Sequence, residues 1–282
     1  MKDPAADPID AALREDIGAG DVTTDSFVSK NARSAARILA REPAILAGTE
    51  TAAEVFRRVD RTLNINVIRK DGTEVNAGES VMEIKGATRS ILKAERVALN
   101  FLQRLSGIAT MTRKFVDAAA NEHVKILDTR KTTPGLRTLE KAAVVAGGGA
   151  NHRFGLFDMV LIKDNHLTSI TGFDELANAV RKFREARPDV QIEIEADTLD
   201  QVHGFLEIDG IDVILLDNMK PAEIREAIAL GKNKVKFEAS GGVTLKNIRQ
   251  IAATGVDFIS IGAITHSPSA IDFSLEITDA GA

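Results

Sequence analysis

The sequence has no cysteine. That excludes disulfides, thiolate zinc sites, iron–sulfur clusters and a cysteine nucleophile, and it fits a reducing compartment. Tryptophan and tyrosine are also absent, leaving 12 Phe as the only aromatic residues. There is no basic excess: the net charge is −5, whereas a nucleic-acid binder usually carries a basic patch or stripe. No apolar run approaches the ~20 residues of a membrane span. The acidic start, Met1-Lys2-Asp3-Pro4, carries no apolar core of a signal peptide. A cytoplasmic protein that binds neither membrane nor nucleic acid is expected. Several motifs are missing too: G-x-x-x-x-G-K-[ST], G-x-G-x-x-G after a strand, H-E-x-x-H and G-x-S-x-G. Their absence removes support for an ATPase, a dinucleotide dehydrogenase, a zincin or a serine hydrolase.

The chain has 282 residues, 44% apolar and 27% charged, a composition able to bury a core as one large domain or two. Residues 9–17 read as a short helix stopping at Gly18, and residues 20–25 as a turn. Residues 38–47, 63–69 and 81–84 alternate like strands, and residues 49–59 like a helix, which suggests a small sheet-and-helix domain. Ser90 is placed to cap a strong helix with Ile91, Ala94, Val97, Ala98, Phe101, Leu102 and Leu105 on one face. Gly107 is expected to interrupt it.

Beyond residue 120 six apolar runs alternate with helix-like segments: 124–127, 159–162, 192–194, 213–216, 235–237 and 258–261. Such alternation predicts a parallel sheet. A (β/α) barrel is favoured over a doubly wound open sheet. A barrel brings all strand C-termini to one mouth, while an open sheet gathers only two or three at its switch point. The runs end in Arg130 and Lys131, in Lys163, in Glu195, in Asp217, in Ser240-Gly241-Gly242 and in Ile261-Gly262-Ala263. With His152 and Arg153, the cations suit a multiply anionic ligand, since arginine offers carboxylate or phosphate a bidentate fork. Glu195 and Asp217 suit a hard cation such as Mg²⁺. The glycine-bearing ends fit a phosphate held by backbone N–H groups, although plain tight turns explain them as well. His266 is open between a functional and a structural role; His123 and His203 lie on polar faces.

The run Asp128-Thr129-Arg130-Lys131-Thr132-Thr133-Pro134-Gly135, with Gly147-Gly148-Gly149-Ala150-Asn151-His152-Arg153 and Leu161-Ile162-Lys163-Asp164-Asn165-His166, closely resembles the quinolinate phosphoribosyltransferase family. Similarity extends from Leu13-Arg14-Glu15-Asp16 and Gly20-Asp21-Val22-Thr23-Thr24, through Glu95-Arg96-Val97-Ala98-Leu99-Asn100, to Gly262-Ala263-Ile264-Thr265-His266-Ser267. The resemblance implies an N-terminal α/β sandwich over residues 1–112, to which 271–282 return, and an incomplete α/β barrel of about seven strands over 113–270. It also implies transfer of phosphoribosyl from phosphoribosyl pyrophosphate to quinolinate, releasing pyrophosphate and CO₂ and giving nicotinate mononucleotide for NAD biosynthesis. Mg²⁺ would accompany the donor, with Glu195 and Asp217 as its ligands and no organic cofactor. Lys131, Lys163, Glu195 and Asp217 would be catalytic. Arg96, Thr129, Arg130, His152, Arg153, Ser240, Gly241, Gly242, Ile261, Gly262, Ala263 and His266 would join them in holding the substrates. A homodimer is implied, Arg96 crossing the interface, with a hexamer of dimers left open. Competing readings are a related enzyme acting on a mono-acid (nicotinate phosphoribosyltransferase or a ModD-like protein) and a non-catalytic anion-binding module. Arg130, Arg153 and Lys163 together favour the diacid.

Overall fold

The computed structural model describes residues 7–170, 172–231 and 234–279. The chain divides by contacts into two units. The first comprises Met1–Arg113, Thr132–Gly148 and Ala263–Ala282, the second Lys114–Lys131 and Gly149–Gly262. The segments 132–148 and 263–270, grouped with the barrel in the sequence reading, thus sit with the first unit. The helix Arg137–Ala146 accounts for the first of these. The sequence pattern did not flag it, yet Leu136 and Leu139 pack on the first unit's apolar core.

The first unit carries a four-stranded antiparallel sheet in the order Phe273–Asp279, Arg33–Ala40, Ser80–Ala87, Asn64–Val67. The last strand of the chain therefore lies beside one of the first. Ile38, Phe56, Met82, Ile84, Ile91 and Leu102 are fully buried in its core. The helix Thr49–Val59 forms as expected; the Asp71 carboxylate accepts bonds from the Gly48 and Thr49 N–H groups at its start. Three expectations need correction. Residues 20–25 are not simply a turn: Asp21 accepts from the N–H groups of Thr23 and Thr24 and starts the helix Val22–Phe27. Aspartate is a strong N-cap, which the neighbouring Gly20 disguised. The long helix runs unbroken over Thr88–Ala119. Ser90 lies inside it and donates to Asp60 at 2.8 Å rather than capping the helix. Gly107 does not break the helix either. A Cβ there would lie 2.2 Å from the Ser269 carbonyl oxygen, so the glycine marks a close approach of two backbones.

The second unit is a six-stranded, all-parallel sheet. Its order is Lys125–Leu127, Phe258–Ser260, Lys236–Ser240, Val213–Asp217, Ile192–Ala196, Val160–Ile162. From Val160 to Phe258 the strands succeed one another in a single direction, and the first strand of the unit then lies beside the last. A doubly wound sheet would reverse direction at a switch point; this winding is that of an incomplete barrel. Helices Phe173–Ala186, Leu199–Leu206, Pro221–Gly231 and Ile248–Ala252 alternate with the strands. Beyond the first strand, Ala150 makes one parallel bridge to Leu127, its N–H donating to Ile126 at 2.8 Å. It is the stub of a seventh strand. All strands being parallel, their C-terminal ends share one face.

Candidate active site

The site grows from those strand ends, and its first anchor is buried. Asp128, fully buried after the strand Lys125–Leu127, accepts the His152 backbone N–H at 2.9 Å. With the Ala150 bridge this fixes the segment that carries His152 and Arg153. The His152 ring is engaged at both nitrogens. Nδ1 accepts the Arg153 backbone N–H at 2.7 Å. Nε2 lies 2.9 Å from Glu193 and 3.6 Å from Glu238. An accepting Nδ1 puts the ring proton on Nε2, facing the two carboxyls.

Glu193 and Glu238 project from the strands Ile192–Ala196 and Lys236–Ser240 and are 0% and 2% exposed. Burial is the largest cause lifting Glu193 to about 7. Burial and then the neighbouring Glu193 lift Glu238 to about 8. Among the described residues, both Glu193 oxygens and Glu238 Oε1 find no hydrogen bond of good geometry. A proton on Glu238 lets that carboxyl donate to Glu193 and relieves the mismatch.

Above this floor come the cations. Arg153 is half-buried and its Nη1 donates to the Met159 carbonyl at 3.4 Å. Burial, then the nearby charge of Arg130, draws its affinity for a proton down. Two guanidinium groups thus repel across one partly dry space. Thr129 Oγ1 accepts the Lys131 N–H at 3.1 Å, and the Lys131 side chain is exposed. The Lys163 ammonium pairs with Glu195, which is 8% exposed. Carboxylate oxygens of Glu195, Asp197 and Asp217 lie within 4.8 Å of one another. Three hard oxygen donors of this kind fit a divalent cation such as Mg²⁺. The cluster of His152, Glu193 and Glu238 is as close-knit but fits a metal poorly, because its Nε2 carries the proton a metal would have to displace.

At the next strand ends, Gly241 and Gly242 have φ of +85° and +59°. A Cβ on Gly241 would lie 2.2 Å from Asn218 Oδ1. Asn218, itself at φ +53°, donates to Asp217 at 2.6 Å. The glycine is thus demanded by backbone conformation and by the neighbouring carboxamide. Ser240 Oγ and Ser260 Oγ are 3.0 Å apart, and the buried Ile261 N–H donates to Leu127 at 2.9 Å; Gly262 is half-buried. The second unit therefore holds Thr129, Arg130, Lys131, His152, Arg153, Lys163, Glu195, Asp217, Ser240, Gly241, Gly242, Ile261 and Gly262. Arg96, Ala263 and His266 belong to the first. Arg96 is exposed on the helix Thr88–Ala119, beside Glu95, whose carboxyl burial raises. His266 ends the short helix Ala263–His266, with Nδ1 2.5 Å from Ser267 Oγ.

Four residues were given no role from the sequence: Asp197, Asn218 and Glu238, at the ends of strand runs, and Glu193, inside one. One signal was available. The strand reads I-E-I-E-A, and a period of two puts Glu193 on the same face as Glu195. Glu193 was absorbed into an apolar run.

Comparison with known proteins decides the lineage. Residues 21–106 match the model of the quinolinate phosphoribosyl transferase N-terminal domain, and residues 108–276 that of its C-terminal domain. The chain belongs to the quinolinate phosphoribosyltransferase family. The two matched regions meet inside the helix Thr88–Ala119. Within the family, the chain is 43% identical over 265 residues to a probable nicotinate-nucleotide pyrophosphorylase [carboxylating] of Bacillus subtilis, covering 94% of this chain and 90% of that protein. A Francisella tularensis nicotinate-nucleotide pyrophosphorylase structure superposes with TM-score 0.90 at 41% identity, covering 96% of this chain and 94% of that one. NadC from Streptococcus pyogenes reaches 0.92 at 37% identity, covering 99% and 98%. The winding of the second unit is thus that of a phosphoribosyltransferase barrel.

Proposed function

We infer that the protein transfers phosphoribosyl from phosphoribosyl pyrophosphate to quinolinate with decarboxylation, forming nicotinate mononucleotide, pyrophosphate and CO₂. One observation supports the choice of substrate: Arg130, Arg153 and Lys163 gather in the second unit, where burial and then the charge of Arg130 lower the proton affinity of Arg153. Their repulsion is relieved by a ligand with two carboxylates, and quinolinate bears two on adjacent carbons. A mono-acid would call on fewer of these cations.

In this reading Arg130, Arg153 and Lys163, with His152 behind them, hold the dicarboxylate so that its ring nitrogen faces the anomeric carbon of the donor. Orientation of this kind removes much of the entropic barrier. Glu195 and Asp217 bind ribose hydroxyls, and the amides around Ser240, Gly241, Gly242, Ile261, Gly262 and Ala263 take the 5′-phosphate. The C–O bond to pyrophosphate breaks as the C–N bond forms, and positive charge gathers on the ribose. Lys131 and Lys163 stabilise the departing anion by fixed charge. Glu195, Asp197 and Asp217 would hold Mg²⁺, which supplies neutralisation of pyrophosphate charge when bound. The alkylated ring nitrogen is then an electron sink. The adjacent carboxylate leaves as CO₂, its bonding pair stays at C2, and a proton takes its place. Arg96, supplied by a second copy in a homodimer, completes the hold on the substrate, to which Thr129 also contributes. A cytoplasmic location belongs to the same reading.

Incubation with Mg²⁺, phosphoribosyl pyrophosphate and either quinolinate or nicotinate tests the assignment by pyrophosphate release. Release with quinolinate and little with nicotinate is expected. The reverse preference would move the protein to the mono-acid enzymes, and binding without turnover would make it an anion-binding module.

A further inference from the structure

Two buried glutamates have no place in the chemistry above. Glu193 and Glu238 are 0% and 2% exposed, and among the described residues three of their four oxygens make no hydrogen bond of good geometry. Buried, poorly satisfied carboxyls work against stability, and apolar residues of similar volume commonly serve a core at least as well. Departures of this kind from a consistent core concentrate where function needs them. Here the two carboxyls meet at one point, the Nε2 of His152, at 2.9 and 3.6 Å. The other side of that ring accepts the Arg153 N–H at 2.7 Å. The ring is thus clamped between a carboxyl pair and the backbone of a substrate-facing arginine. Asp128 fixes the same segment from the His152 N–H. The chain 150–153 is held at both the backbone and the ring, a redundancy beyond what a mere turn requires.

We propose that Glu193 and Glu238 are positioning residues for quinolinate binding. By fixing the orientation of the His152 ring they hold the Arg153 backbone in place and so aim its guanidinium at the substrate dicarboxylate. They touch neither substrate nor donor. This rests on the quinolinate reading above. It predicts a division of labour in kinetics: loss of the carboxyl pair weakens the grip on quinolinate and leaves the donor's KM unchanged, because the donor is held by other residues of the same strands, Glu195 and Ser240 among them, and not through the His152 ring.

The test compares Glu238→Leu with Glu238→Gln in the full-length protein. The carboxamide mimics a protonated carboxyl, so Gln can still present a polar oxygen beside Nε2–H and donate to Glu193. Leu can do neither. Glu238→Leu is expected to raise KM for quinolinate between about tenfold and a hundredfold, the scale of a small misplacement of a binding group. Its kcat should change much less, and its melting temperature should hold or rise. Glu238→Gln should restore the quinolinate KM. If Glu238→Leu does not fold, Glu193→Met, similar in volume and uncharged, reads the same ring contact. Unchanged quinolinate KM in the apolar variants would overturn the proposal and leave the pair as core. Equal losses for quinolinate and donor would overturn it as well. Failure of the unaltered protein to use quinolinate would instead bring down the activity on which it rests, and this inference with it.

Discussion

At the residue scale, the Glu238 carboxyl makes a prediction about pH. Its ordinary value of 4.5 rises to about 8 in the fold, through burial and the charge of Glu193, while His152 pulls the other way and Ser260 stabilises its ionised form by a hydrogen bond. A carboxyl raised on folding binds its proton more tightly in the native state. Stability is therefore greatest below its unfolded value and falls as pH rises toward about 8. Melting temperatures from about pH 5 to pH 8 should decline, and Glu238→Gln should flatten that decline. An identical slope in the variant would mean that Glu238 is already ionised throughout. The same residue shows where sequence reading stops. Arg130, Arg153, Lys163, Glu195 and Asp217 were legible because charged residues at strand ends stand out against apolar runs. Glu193, inside an apolar run, and Glu238, at the end of one, drew no role until burial and the His152 ring gave them partners.

At the element scale, six strands were legible from short apolar runs, and the helices between most of them from their spacing. What escaped were features decided by neighbours distant in sequence. The helix Arg137–Ala146 lay hidden in a motif-rich stretch, and its place is set by packing on the first unit. Gly107 looked like a helix breaker, yet the helix Thr88–Ala119 passes through it because the Ser269 carbonyl lies where a side chain would go. Gly107→Ala is therefore expected to destabilise the protein by about 1–3 kcal/mol, the usual cost of forcing a methyl into filled space, despite alanine's better helix propensity. Denaturant titration checks this. Stabilisation by alanine would return Gly107 to the role of a simple weak point.

At the scale of the whole molecule, the winding of the second unit was anticipated in class, and its strand order settled barrel against open sheet. Oligomeric assembly does not register in local patterns. If Arg96 reaches the site of a second copy, mixing Arg96→Ala subunits with Arg153→Ala subunits should restore activity absent from either alone. Half the dimers formed would be mixed, each with one intact site, so recovery approaches about a quarter of the unaltered activity. No recovery after subunit exchange would place Arg96 at its own chain's site or at none. The central claim is that this arrangement of cations and carboxylates performs a decarboxylating transfer, and its most direct test follows the carboxyl carbon. With quinolinate labelled at the 2-carboxylate, phosphoribosyl pyrophosphate and Mg²⁺, label should leave as CO₂ in equal amount to pyrophosphate, with the 3-carboxylate retained in the nucleotide. Pyrophosphate released without labelled CO₂ would contradict the account.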